Sequence, residues 1–132
     1  MTRTHLAAGL LGALLQSGLA LGDSPATVKQ LMQKNVVGDP SKEVVVVTVE
    51  YGAGGASLPH RHDAQVFVYV LEGDLTMQVK GSEPVSLHPG DTFYEGPNDV
   101  HVVSANASKS APAKFLVFIL KNKGAPATRP AS

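Results

Sequence analysis

His60 and His62 stand one residue apart in LPHRHDAQVFVYVLEG, residues 58–73. Side chains alternate along a strand, so both imidazoles project from one face and their ring nitrogens can converge on one point. Neutral imidazole is the commonest protein ligand for metals near neutral pH. His101, in VHVVS (100–104), sits on a strand that can return beside the first in an antiparallel fold. A third imidazole completes a facial set for a divalent cation and leaves coordination positions open for water or a small organic molecule. Pro59 and a glycine-rich loop precede the pair, and an apolar strand follows it, so the pair stands where a barrel opens. His88 precedes the Pro89-Gly90 turn and reads as an exposed turn residue with no role.

The elements that must carry these residues are short and mostly extended. EVVVVTVEY (43–51) is β-branched almost throughout and reads as a strand buried on both faces or nearly so. VFVYVL (66–71) and LTMQVK (75–80) flank EGD and form a hairpin, with Gly73 supplying positive φ. VSLH (85–88), TFYE (92–95), VHVVS and KFLVFIL (114–120) follow, each separated by a Pro- or Gly-bearing turn. Phe67 and Tyr69 read as interior packing of a buried strand. SPATVKQLMQKN (24–35) is predicted to be one short helix: Ser24 caps it, Pro25 fits its first position, and Val28, Leu31 and Met32 share a face. GDP (38–40) stops it. KGAPATRPAS (123–132) reads as a mobile tail. Short strands with frequent turns predict an all-β fold, a small antiparallel β-barrel of the jelly-roll kind with one N-terminal helix.

The 132 residues suffice for one domain. Residues 1–22 read as a secretory signal: Arg3, then an apolar run rich in Leu, Ala and Gly, closed by small residues before Asp23. The single domain is then 23–132, with its core at about 43–120, and the expected location is periplasmic or secreted. No later stretch is long enough to span a bilayer, so no membrane partner is expected once the signal is removed. Cysteine is absent, which excludes disulfides, thiolate sites and a cysteine nucleophile. The 11 basic and 11 acidic residues balance, and only three Tyr, four Phe and no Trp are present, so neither charge nor a stacking platform points to nucleic acid. A homodimer is expected, because EVVVVTVEY at a sheet edge would expose an apolar strand.

With these residues in view, the chain resembles the cupin superfamily. That family's first motif sets a glycine before an HxH pair, then an acidic residue, then a second glycine. Gly55, His60, His62 and Gly73 match it, with Gly55 one residue closer than the pattern asks, and VYVLEG (68–73) is a typical ending. GDTFYEGPNDVHVVSAN (90–106) resembles the second motif through Pro97, His101 and Asn106, with one residue more than usual before the Asn. The resemblance covers roughly 43–120. It implies a small single-domain cupin with His60, His62 and His101 as ligands of a divalent metal.

The departure lies at the acidic ligand. Counting back from Gly73, its position falls on Val66, which cannot bind a metal. Water, Glu95 or Gln65 can take the fourth place, in that order of expectation. Gln65 needs a bulge to face His62, and Glu95 needs the GPND turn to fold it inward. Imidazole ligands favour Fe, Zn, Ni, Cu or Co over Mg and Ca. Glu95 and Tyr94, close to His101 in sequence, are the candidate acid/base groups. The resemblance implies either a metal-dependent enzyme of dioxygenase or isomerase type, acting on a small molecule, or a non-catalytic module that binds a small ligand or metal.

Overall fold

The computed structural model describes residues 26–132. The signal assigned to 1–22 lies outside the described residues. Among the described residues all regular structure is β: β1 (Thr27–Val36), β2 (Asp39–Tyr51), β3 (Ala56–Ser57), β4 (His60–Arg61), β5 (Ala64–Glu72), β6 (Leu75–Val79), β7 (Val85–Leu87), β8 (Thr92–Glu95), β9 (Val100–Asn106), β10 (Ala113–Asn122) and β11 (Arg129–Pro130). One sheet runs β1-β2-β10-β5-β8; the other runs β11-β4-β9-β6-β7, with β3 also paired to β9. Every pairing is antiparallel.

The core fills the space between the sheets. Val45 and Val47 of β2, Val66, Val68 and Val70 of β5, Leu75 and Met77 of β6, and Phe115, Val117 and Ile119 of β10 form one buried cluster. Strand β5 shows the cause, because its residues alternate strictly between buried and exposed from Ala64 to Leu71. Gly73 closes the β5–β6 hairpin at φ +72°, and a Cβ there would meet the Pro112 carbonyl oxygen at 2.5 Å. No side chain fits that turn without moving the backbone of β10's entry.

Several expectations are corrected. The segment read as a helix is strand β1, which pairs with β2 through a hairpin whose Gly38 has φ +87°. A register shift between Gln30 and Met32 inserts one extra residue, Leu31. That bulge breaks the period of two, so Val28, Leu31 and Met32 imitate helical spacing. The free ladder of β2 outweighs a weak local helix preference. The sheets are also not closed into a barrel: β8 pairs only with β5, and β7 only with β6. Strand β2 is not an edge, since β1 covers it, so EVVVVTVEY itself exposes no edge for a second copy. The tail is ordered into β11, which pairs with β4.

Phe67 and Tyr69 face outward rather than into the core. They belong to the outer side of the five-stranded sheet, where Met32, Val46, Phe118, Phe67 and Tyr94 form one cross-strand row. Asn106 is buried; its side-chain amide donates to the carbonyls of Gly52 (3.0 Å) and Ala111 (2.8 Å), so it ties two loops together. A buried ion pair joins Glu43 of β2 to Lys121 of β10. Lys121, then Gln33 and the Gly124 amide, hold the Glu43 carboxyl at about 2. Lys121 also donates to the Ala125 carbonyl, which fixes where the tail departs.

Candidate metal centre

The second sheet delivers two imidazoles by direct register. His60 of β4 lies opposite His101 of β9, with ring centroids 5.0 Å apart. His62 follows in the same turn of chain, its ring 5.0 Å from that of His60. Strand β9 carries a bulge at Val102, where the register to β6 shifts between Gln78 and Val79. The extra residue lets both His101 and Ser104 face inward, which a regular strand forbids for positions three apart.

The opposite sheet delivers the carboxylate. Glu95 ends β8 and lies directly across from Val66 of β5. Val66 is the position where the family pattern asks for an acid. The carboxylate is therefore present, moved one strand sideways. Its Oε1 lies 3.0 Å from His101 Nδ1 and its Oε2 3.8 Å from His62 Nε2. His60, His62 and Glu95 each offer a ligand atom within 4.8 Å of the others.

Backbone carbonyls orient two of the rings. His60 Nδ1 donates to Leu58 O at 2.8 Å, and His62 Nδ1 donates to Ala127 O at 2.6 Å. Each bond fixes the tautomer and leaves Nε2 with its lone pair toward the centre. The His62 bond comes from the tail, which is held in place by Arg129 on Asp63 at 2.7 Å. Removing residues 125–132 should therefore weaken metal binding about 10- to 100-fold, the usual effect of losing an outer partner. Calorimetric titration checks it; unchanged affinity would show that the tail only covers the site.

The donor set fits a cation. Glu95 and His101 are almost wholly buried, at 2% and 3% exposure. Glu95 Oε1 and both ring nitrogens of His101 make no aligned hydrogen bond, although the pair is in close contact. Buried polar atoms left unpaired are costly, and a shared cation would satisfy Glu95 Oε1 together with one of the two His101 nitrogens. Burial alone would raise the Glu95 pKa, but the approach of His101 and the charges of His101, His62 and His60 outweigh it and hold the carboxyl below its usual value. Burial lowers the His60 pKa, with His101 and His62 adding to the effect. Both shifts favour the ligand forms, carboxylate and neutral imidazole.

Gln65 and Tyr94 are placed elsewhere. Both are exposed on the outer face of the five-stranded sheet and touch each other at 3.5 Å. No bulge turns Gln65 inward, since β5 runs regularly from Ala64 to Val70, and Tyr94 alternates away from Glu95 on β8. His88 is exposed, as expected, and contacts Asp91 in its own turn.

Behind the centre opens a cavity of about 750 Å³ with mainly apolar walls, among them Val47, Val68, Met77 and Phe115. Its polar lining includes a hydroxyl cluster that sequence reasoning missed: Tyr51, Ser57 and Ser104. Tyr51 ends a β-branched run and carried no motif. Its inward place follows from the alternation of Val45, Val47 and Tyr51 on β2, and that periodicity was the only available signal.

Two facing antiparallel sheets, with histidines and a displaced carboxylate at the head of an apolar cavity, define a double-sheet β protein with a candidate metal centre. Residues 46–119 match the cupin domain family, and the chain belongs to it. No curated protein matches the sequence. The fold is similar to that of DMSP lyase DddQ from Ruegeria pomeroyi DSS-3, with a TM-score of 0.64 and 19% identity over 80% of this chain and 51% of that one. This chain thus spans about half the length of that lyase. An uncharacterized conserved protein with a double-stranded beta-helix domain from Klebsiella pneumoniae gives a TM-score of 0.66 and 18% identity over 84% and 88% of the two chains. The polyketide cyclase RemF from Streptomyces resistomycificus gives 0.62 and 20% over 84% and 74%. At these identities the likeness is one of fold.

Proposed function

We propose that this chain is a metal-dependent cupin enzyme that binds a small, largely apolar organic molecule beside a divalent transition metal. The observation that carries the reading is the convergence of His60, His62 and Glu95, with His101 at 3.0 Å from the Glu95 carboxylate, at the head of a mainly apolar cavity. Three imidazoles and one carboxylate suit Fe, Zn, Ni, Cu or Co. When bound, such an ion supplies a Lewis-acid centre for an oxygen atom of the ligand. The residues themselves hold the ligand atoms in place and present mainly apolar walls to the rest of the molecule. A lyase and a cyclase among the proteins of similar fold support a catalytic reading.

One observation favours a second reading, a binding module without turnover. Glu95 is drawn into the ligand set and Tyr94 lies outside, so neither expected acid/base group stands free in the cavity. Loading the metal-free chain with each metal, then measuring oxygen uptake and product formation with small phenolic and dicarbonyl compounds, separates the two. Metal-dependent turnover supports the enzyme; saturable binding with no product assigns the chain to the second class. The leader-like residues support a periplasmic or secreted location, and the apolar outer row supports pairing of two copies across that sheet.

A further inference from the structure

The hydroxyl cluster in the cavity has one proton too many. Tyr51 Oη lies 2.6 Å from Ser57 Oγ and 2.8 Å from Ser104 Oγ. Three hydroxyls carry three protons, and two contacts use two of them whichever way the bonds run. Among the described residues no other acceptor takes the third. Tyr51 and Ser104 are 1% and 4% exposed and Ser57 is half-buried, and all three residues line the cavity. An undirected O–H on a mainly apolar cavity wall is a donor available to an acceptor on a bound molecule. Ser57 pairs with Ser104 as His60 pairs with His101. The two rungs are three residues apart on β9, roughly 10 Å, and apolar walls lie around both.

We propose that Tyr51, Ser57 and Ser104 form a recognition site for a carbonyl-type oxygen on the small molecule that the cavity holds. The site rests on the reading that the cavity takes such a molecule beside the metal. It narrows the ligand class to one with an apolar middle, a metal-facing end and an oxygen acceptor at the other. Burial, the largest influence, raises the Tyr51 pKa, and Glu95 adds to it, so the phenol stays a neutral donor.

The test uses the metal-free full chain and two compounds of the same shape, acetophenone and α-methylstyrene, which differ in a C=O replaced by C=CH2. The combined Tyr51→Phe, Ser57→Ala, Ser104→Ala variant removes every hydroxyl together, so none is left unpaired to unfold it. The ketone's Kd is expected to rise about tenfold in the variant, near 1.4 kcal/mol, while the alkene's stays within about twofold. Equal changes for both compounds, or no uptake of either by the wild-type chain, overturn the proposal. If the variant does not fold, the infrared carbonyl band of acetophenone bound to the wild-type chain reads the same contact. A band below its position in heptane supports the site, and a band at the heptane position overturns it. Because no metal is present, failure here leaves the metal centre standing, and failure of metal binding leaves this contact testable.

Discussion

His101→Ala is expected to lower affinity for Co²⁺ or Zn²⁺ by more than about a hundredfold, beyond the 10- to 100-fold typical of an outer-shell loss, while the metal-free chain keeps its fold. The ring is buried at 3% exposure and neither nitrogen makes a hydrogen bond. Truncation therefore breaks no aligned hydrogen bond, although the Glu95 carboxyl loses the ring that stands 3.0 Å from its Oε1 and helps to hold its pKa down. The other loss is stacking on Phe93, whose ring lies 5.6 Å away, worth about 1 kcal/mol. Thermal unfolding of the metal-free variant should shift by only a few degrees, whereas metal titration should change grossly. In the wild-type chain, protons should displace the metal only below the ordinary imidazole pKa of about 6.5, because burial lowers that of His60. A variant that retains wild-type affinity removes His101 from the ligand set.

Glu95→Val should abolish saturable binding of the same metals at micromolar concentration, and adding Val66→Glu should restore it. The two positions are opposite each other on β5 and β8, with Cα atoms about 5 Å apart, and both face the interior. The swap moves the carboxylate back to the strand where the family pattern has it and exchanges the same two side chains, so the interior volume is conserved. Glu95→Val alone removes the anion that sits among three imidazoles. Metal affinity then depends on neutral ligands only. Rescue by the double variant is the discriminating result, since a merely structural Glu95 would not be replaced by an acid on another strand. Its carboxyl is held below the usual value, so its share of folded-state stability is present above the unfolded pKa near 4.3. That share is lost as pH falls through the lower folded value.

Much of the site was readable because strand alternation is a rigid rule. That His60 and His62 share a face follows from period two alone, whereas Phe67 and Tyr69, read as interior packing, face outward and leave Val66, Val68 and Val70 inside. Six strands from 66 to 120 fall within a residue or two of their expected ends, since Gly73 and the Pro-bearing turns mark them. What could not be read depended on broken periodicity. The Leu31 bulge made a strand look helical, and the Val102 bulge put His101 and Ser104 on one face against the rule. Glu95 was one of three options because sequence does not say which strand lies beside β5. The tail was misjudged for a related reason: its composition lacks large apolar residues, and its order comes from Ala127 on His62 and Arg129 on Asp63, contacts formed across more than sixty residues.

The most direct test is a titration of the metal-free chain with Co²⁺, followed by its visible absorption. The structure predicts saturation at one ion per chain, with d–d bands of a nitrogen- and oxygen-ligated centre that disappear in His101→Ala. Absence of saturable uptake, or an identical spectrum in that variant, would contradict a metal centre built on these residues.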